Sequence, residues 1–120
     1  MPTILIAEDN EDLRGMLRQL LEANGYAVLE AADGREAAEV ALRERPNVSL
    51  MDLGLPGVDG LAAVAEIRQH VSAIEMPILI ISAYDRIEYR TEAISAGCSG
   101  FVTKPIDPTS LLQTIELLLQ

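Results

Sequence analysis

Thr3-Ile4-Leu5-Ile6-Ala7-Glu8-Asp9-Asn10 is an apolar run of strand length that stops on two acids and an asparagine suited to open a helix. Asn10, with Glu11 and Asp12 behind it, reads as an N-cap and an acidic first turn. The helix should then run to about Asn24, with Leu13, Leu17, Leu20 and Leu21 as its buried stripe and Gly25 as its stop. The stretch therefore reads as strand, acidic turn, helix.

The same order recurs along the chain. Tyr26 to Ala31 reads as a second strand, and Asp33 with Glu36 has capping-box spacing before a helix that turns Ala37, Ala41 and Leu42 inward. A third run, Val48-Ser49-Leu50-Met51, ends at Asp52, and Gly54, Pro56, Gly57 and Gly60 make the segment after it a turn-rich loop. Val64, Ile67 and Val71 mark a third helix, and Pro77 opens a fourth strand, Ile78-Leu79-Ile80-Ile81, that ends at Ser82. Asp85 and Glu88 repeat the capping-box spacing. The helix behind them has a thin stripe, Ile87, Thr91 and Ile94, which predicts weak anchoring, and Gly97 ends it. Gly100 to Lys104 reads as a fifth strand, with Asp107 and Pro108 as N-cap and first residue of the last helix. At about 100° per residue, Leu111, Leu112, Ile115, Leu118 and Leu119 share one arc, and Leu117 points nearly opposite, towards solvent. Strands alternating with helices in this way predict an α/β fold with a parallel sheet. No linker, repeat or low-complexity stretch interrupts it, so residues 1–120 read as one domain.

Composition narrows the function. A chain of 120 residues with a formal net charge of −10 lacks the basic face that gripping a phosphate backbone requires, so no direct nucleic-acid binding is expected. No apolar run approaches the ~20 residues of a membrane-spanning helix, and the start lacks the basic region of a signal peptide. Cys98, the single cysteine, cannot form an internal disulfide, which fits a reducing cytoplasm. His70, the only histidine, cannot build a metal cluster and is expected to be solvated.

In a parallel sheet the C-terminal strand ends share one edge, where ligands bind at the point at which strand order reverses. Glu8, Asp9, Asp52, Ser82 and Lys104 all sit at such ends. Each alone has an ordinary explanation: a strand-end acid, a loop cap, a surface lysine. Together, three carboxylates, a hydroxyl and an ammonium suit Mg²⁺ and a phosphoryl group. Carboxylates about 4 Å apart repel by ~1 kcal/mol in water and ~4 at an effective dielectric of 20, a cost that a cation offsets.

Over its whole length the sequence resembles the receiver domain of bacterial two-component response regulators. Ala7-Glu8-Asp9-Asn10, the run from Met51-Asp52 through Pro56-Gly57 to Asp59-Gly60, Ser82-Ala83, Ala96-Gly97 and Phe101-Val102-Thr103-Lys104-Pro105 carry the resemblance, in the family's order. It implies a flavodoxin-like (βα)5 three-layer sandwich with strand order 2-1-3-4-5. Asp52 would be the phosphoacceptor, taking its phosphoryl group from a histidine kinase or histidine phosphotransfer protein. Glu8, Asp9, Asp52 and the Gly54 backbone carbonyl would hold Mg²⁺ (or Mn²⁺), with Glu8 acting mostly through water. Ser82 and Lys104 would contact the phosphoryl oxygens, and Ser82 and Phe101 would switch the face formed by the fourth helix, fifth strand and fifth helix. The Lys104-Pro105 bond is expected to be cis.

The resemblance further implies a cytoplasmic signalling switch that catalyses its own phosphotransfer and dephosphorylation. A downstream effector protein or domain would read it, and a phosphorylation-dependent dimer is allowed. Tyr84, two residues beyond Ser82, is expected to slow loss of the phosphoryl group. Gly15, opposite the buried stripe of the first helix, is expected to permit close approach of the donor's helices. Two rival readings are a phosphorylation-independent docking module, which the intact pocket disfavours, and a dehalogenase-like phosphohydrolase. The latter family carries a second Asp where this chain has Gly54. Ile106 and Gly100 depart from the family's usual residues and leave the output surface open.

Overall fold

In the computed structural model, which describes residues 1–54, 59–83 and 87–120, each of those apolar runs is a strand. The elements are β1 (Thr3–Ala7), α1 (Glu11–Ala23), β2 (Ala27–Ala31), α2 (Gly34–Glu44) and β3 (Val48–Asp52). They continue with α3 (Gly60–Arg68), β4 (Ile78–Ser82), α4 (Ile87–Ala96), β5 (Gly100–Thr103) and α5 (Pro108–Leu118). The strands are parallel throughout, in the order β2-β1-β3-β4-β5. Alternation along each strand divides the core between the two faces of the sheet. Leu5, Ala7, Met51, Ile78 and Ile80 join the residues of α2 and α3. Ile4, Ile6, Leu50, Leu79 and Ile81 meet Leu17 and Leu21 of α1 and Leu111 and Ile115 of α5. The architecture is the flavodoxin-like three-layer sandwich that the sequence predicts.

Local chemistry sets the helix starts. Asn10, Asp33, Asp59 and Asp107 each accept a hydrogen bond from a backbone N–H of the first helical turn, satisfying a donor that the helix itself cannot. Gly25 and Gly97, at φ +88° and +107°, follow the ends of α1 and α4 in the left-handed region, where glycine carries no Cβ penalty.

Two details differ from expectation. Gly60 is the first residue of α3 rather than part of the loop, because Asp59 caps the helix there. A Cβ on Gly60 would lie 2.3 Å from the carbonyl oxygen of Asp52, so the close approach of α3 to the end of β3 requires glycine. In α4 the phase is shifted: Ala93 is buried while Thr91 and Ile94 are exposed. Tyr84, Asp85, Pro56, Gly57 and the side chain of Ile87, on which other expectations rested, lie outside the described residues. Leu117 is exposed and His70 lies at the surface, as expected.

Candidate functional site

The sheet register brings the candidate residues to one edge. Ala7 aligns with Met51 and Asp52 with Ile81, so Glu8, Asp52 and the end of β4 emerge side by side. β1 lies between β2 and β3, which puts the reversal of strand order between the acids of β1 and Asp52. Carboxylate oxygens of Glu8, Asp9 and Asp52 lie within 4.8 Å of one another. Glu8 and Asp52 are buried and Asp9 is exposed, so the cluster opens to solvent on the Asp9 side.

Lys104 brings a cation to the cluster. Its Nζ donates to Glu8 Oε1 at 3.1 Å and lies 3.6 Å from Asp52 Oδ2. Burial pulls the ammonium down, but the hydrogen bond to Glu8 and the charges of Asp52 and Glu8 outweigh it, leaving Lys104 above its ordinary 10.5. The Lys104 backbone N–H donates to the Ser82 carbonyl at 2.8 Å, which ties the lysine to the end of β4. Ser82 is buried at that end, one strand over from Asp52. Gly54 is exposed, and its N–H donates to Asp52 Oδ1 at 3.2 Å.

The donor set fits a hard divalent cation. Among the described residues three carboxylates pair with one ammonium, so when all are ionised these four groups leave two negative charges, the complement of one divalent ion. Oxygen-only ligands are what Mg²⁺ prefers.

The structure brings Glu8, Asp9, Asp52, Gly54 and Lys104 together, with Ser82 at the adjoining strand end. Phe101 stands apart, half-buried on β5 against the core, with the Arg90 guanidinium carbon 4.9 Å from its ring centroid, within cation–π range. The Lys104-Pro105 peptide is cis, as expected.

Arg14 escaped the sequence reading. Its Nη1 donates to the Glu8 carbonyl at 2.8 Å and its Nε to Glu30 Oε1 at 3.2 Å. Glu30 also pairs with Arg18, which in turn pairs with Glu22 at 3.3 Å. Only its place among the leucines of α1, one turn past Asn10, hinted that it faces the sheet rather than solvent.

Residues 4–116 match the family described as the response regulator receiver domain. The chain belongs to that family. It is 39% identical over 116 residues to the transcriptional regulatory protein YxdJ of Bacillus subtilis, covering 97% of this chain and 49% of that one. The chain likewise spans about half the length of most of the relatives it matches. Among solved structures it resembles the chemotaxis protein CheY4 of Vibrio cholerae, with a TM-score of 0.92, 32% identity and 99% of each chain covered. It also resembles the receiver domain of the sensor histidine kinase PA1611 of Pseudomonas aeruginosa, with a TM-score of 0.90 and 30% identity over 98% of this chain and 97% of that one. That structure holds a magnesium ion coordinated in its active-site cleft. As a receiver domain the chain is part of two-component signalling. Among its described residues no helix is long and apolar enough to cross a membrane.

Proposed function

We propose that residues 1–120 form one receiver domain whose Asp52 accepts a phosphoryl group from the phosphohistidine of a kinase or phosphotransfer protein. The observation that carries this is the placing of Asp52, nearly buried, with Lys104 Nζ 3.6 Å from one carboxylate oxygen and the Gly54 N–H donating to the other. A carboxylate oxygen attacks phosphorus, the P–N bond breaks with its electron pair going to the imidazole, and solvent returns a proton to that ring. Such transfers need positioning and charge stabilisation more than covalent help from the protein. Lys104 and Ser82 would meet the phosphoryl oxygens. Glu8, Asp9, Asp52 and the Gly54 carbonyl would hold Mg²⁺ or Mn²⁺, which screens the approach of an anionic donor to an anionic nucleophile.

An apolar groove of about 620 Å³ supports the donor reading. Leu13, Met16, Leu17 and Leu20 of α1 and Pro105 and Ile106 line it, and it reaches Lys104. A helix laid there would run up to the acidic site. Gly15 lies outside this groove, on the adjoining face of α1 beside Glu11, Arg14 and Met16, and has no atom within 4 Å of where a Cβ would stand. The Gly15→Arg variant should therefore slow transfer from the kinase and spare labelling by acetyl phosphate; equal loss in both assays would refute the docking role.

Output would pass through α4, β5 and α5 to an effector protein or domain, with phosphorylation-dependent pairing of two copies as one form. The net charge of −10 leaves any DNA contact to another domain or partner.

Labelling with acetyl phosphate tests the core of the proposal. One phosphoryl group should add with Mg²⁺ present, by intact mass, and none should add to Asp52→Asn. Labelling that persists in Asp52→Asn would place the acceptor elsewhere.

A further inference from the structure

The two peptide groups that flank Asp9 are both pinned. The carbonyl before it, on Glu8, accepts from Arg14 Nη1 at 2.8 Å. The N–H after it, on Asn10, donates to Glu8 Oε2 at 3.1 Å. Asp9 is the exposed member of the acid cluster, so its main chain, rather than packing of its side chain, fixes where its carboxylate stands. The Glu8 N–H is held by the Ala31 carbonyl at 3.0 Å, which leaves the Glu8 carbonyl as the free lever at the end of β1. Arg14 takes that lever, and its own direction is set by Glu30 at 3.2 Å, with Arg18 bracing Glu30 from the other side.

We propose that Arg14 is a positioning residue for the cation-binding acids, aligning Asp9 through the Glu8 carbonyl while Glu30 holds the guanidinium in place. The proposal rests on reading Glu8, Asp9 and Asp52 as the Mg²⁺ ligands. A planar fork suits the task, because one guanidinium donates to a carbonyl with one nitrogen and to a carboxylate with another. By taking a carbonyl rather than a carboxylate of the cluster, Arg14 itself occupies no carboxylate oxygen that could reach the ion.

Charge and geometry predict opposite signs, and this makes the proposal decidable. Arg14 is a cation beside a cation site, so its field alone weakens Mg²⁺ binding and its removal should tighten it. Positioning predicts the reverse: losing an outer partner that orients a ligand typically costs about 10-fold or more in metal affinity.

Isothermal titration of the whole chain with MgCl2, well below its unfolding temperature, should give a dissociation constant about 10-fold weaker for Arg14→Gln than for wild type. Without Mg²⁺, amide exchange at Asn10 should quicken in the variant while the amides of Leu5 and Ile6 stay protected. Glu30→Gln, which keeps Arg14 but releases it, should bind Mg²⁺ more weakly than Glu22→Gln, a charge-matched control whose carboxylate touches only Arg18 among these residues. That pair carries the test should Arg14→Gln fail to fold. Unchanged or tighter binding in Arg14→Gln, or a lowered unfolding temperature alone, would overturn the role of Arg14. A wild type that takes up no Mg²⁺ would overturn the cation reading and this role with it.

Discussion

α1 and α4 are both helices that come after a strand end of the candidate site, yet they are fastened in different ways. α1 buries Leu17 and Leu21, opens on the Asn10 cap and is laced to β2 by Arg14 and Arg18 through Glu30. Among the described side chains of α4, only Ala93 is fully buried, and Ile94 is 70% exposed. A fully buried leucine gains about 1.5–3 kcal/mol, whereas a single buried methyl is worth under ~1. One helix is thus a fixed wall of the site. At the far end of the other, Arg68 Nε donates to the Gly97 carbonyl at 2.8 Å. Elements with few buried apolar contacts are those whose opening costs least, so the described part of α4 suits the proposed switching face.

Stability measurements can break this contrast. Leu21→Ala in α1 should cost about 2–5 kcal/mol in urea unfolding, the usual range for a buried leucine. Ile94→Ala in α4 should stay within about 0.5 kcal/mol, as surface changes do. Comparable costs at the two positions would mean that α4 is anchored as firmly as α1.

The smallest effect concerns Lys104, which joins the β5 end to the acids of β1 and β3. Its folded-state value is raised, so its contribution is complete below pH 10.5 and is lost as pH climbs through the higher folded value. Unfolding midpoints of wild type and Lys104→Gln should therefore converge only above pH 10.5. Convergence at neutral pH would show that the ion pair adds nothing to the fixed side of the comparison.

Legibility in the sequence divides along the same line. Strand ends are legible because a mainly apolar run that stops on Asp52 or Ser82 marks both the strand and its exit from the core. In a parallel sheet those exits share an edge whatever the exact register, so the acid cluster could be read from pattern alone. Arg14 could not, since its partner Glu30 lies on a neighbouring strand and no spacing along the chain encodes that register. The phase of α4 is hidden in the sequence, because the larger apolar side chain, Ile94, suggests the buried position. The contact with α3 and β5 admits a small residue, so Ala93 faces in and Ile94 faces out. Gly60 suggests a loop by its residue type, but Asp59 supplies the cap that makes it the first helical position.

Gly60 has a consequence for how tolerance to mutation is interpreted in this chain. Even an alanine there would push against the Asp52 carbonyl oxygen and the Leu53 Cα, at 2.3 and 2.9 Å, and so displace the strand end that carries the acid. A map of tolerated substitutions would score position 60 as severely as Asp52 itself. Intolerance at the first would reflect space and at the second the proposed phosphoacceptor role, and survival data alone would not separate them. Replacing Asp52 with its isosteric amide separates them, because it removes the chemistry and keeps the shape, whereas no side chain at position 60 keeps the shape at all.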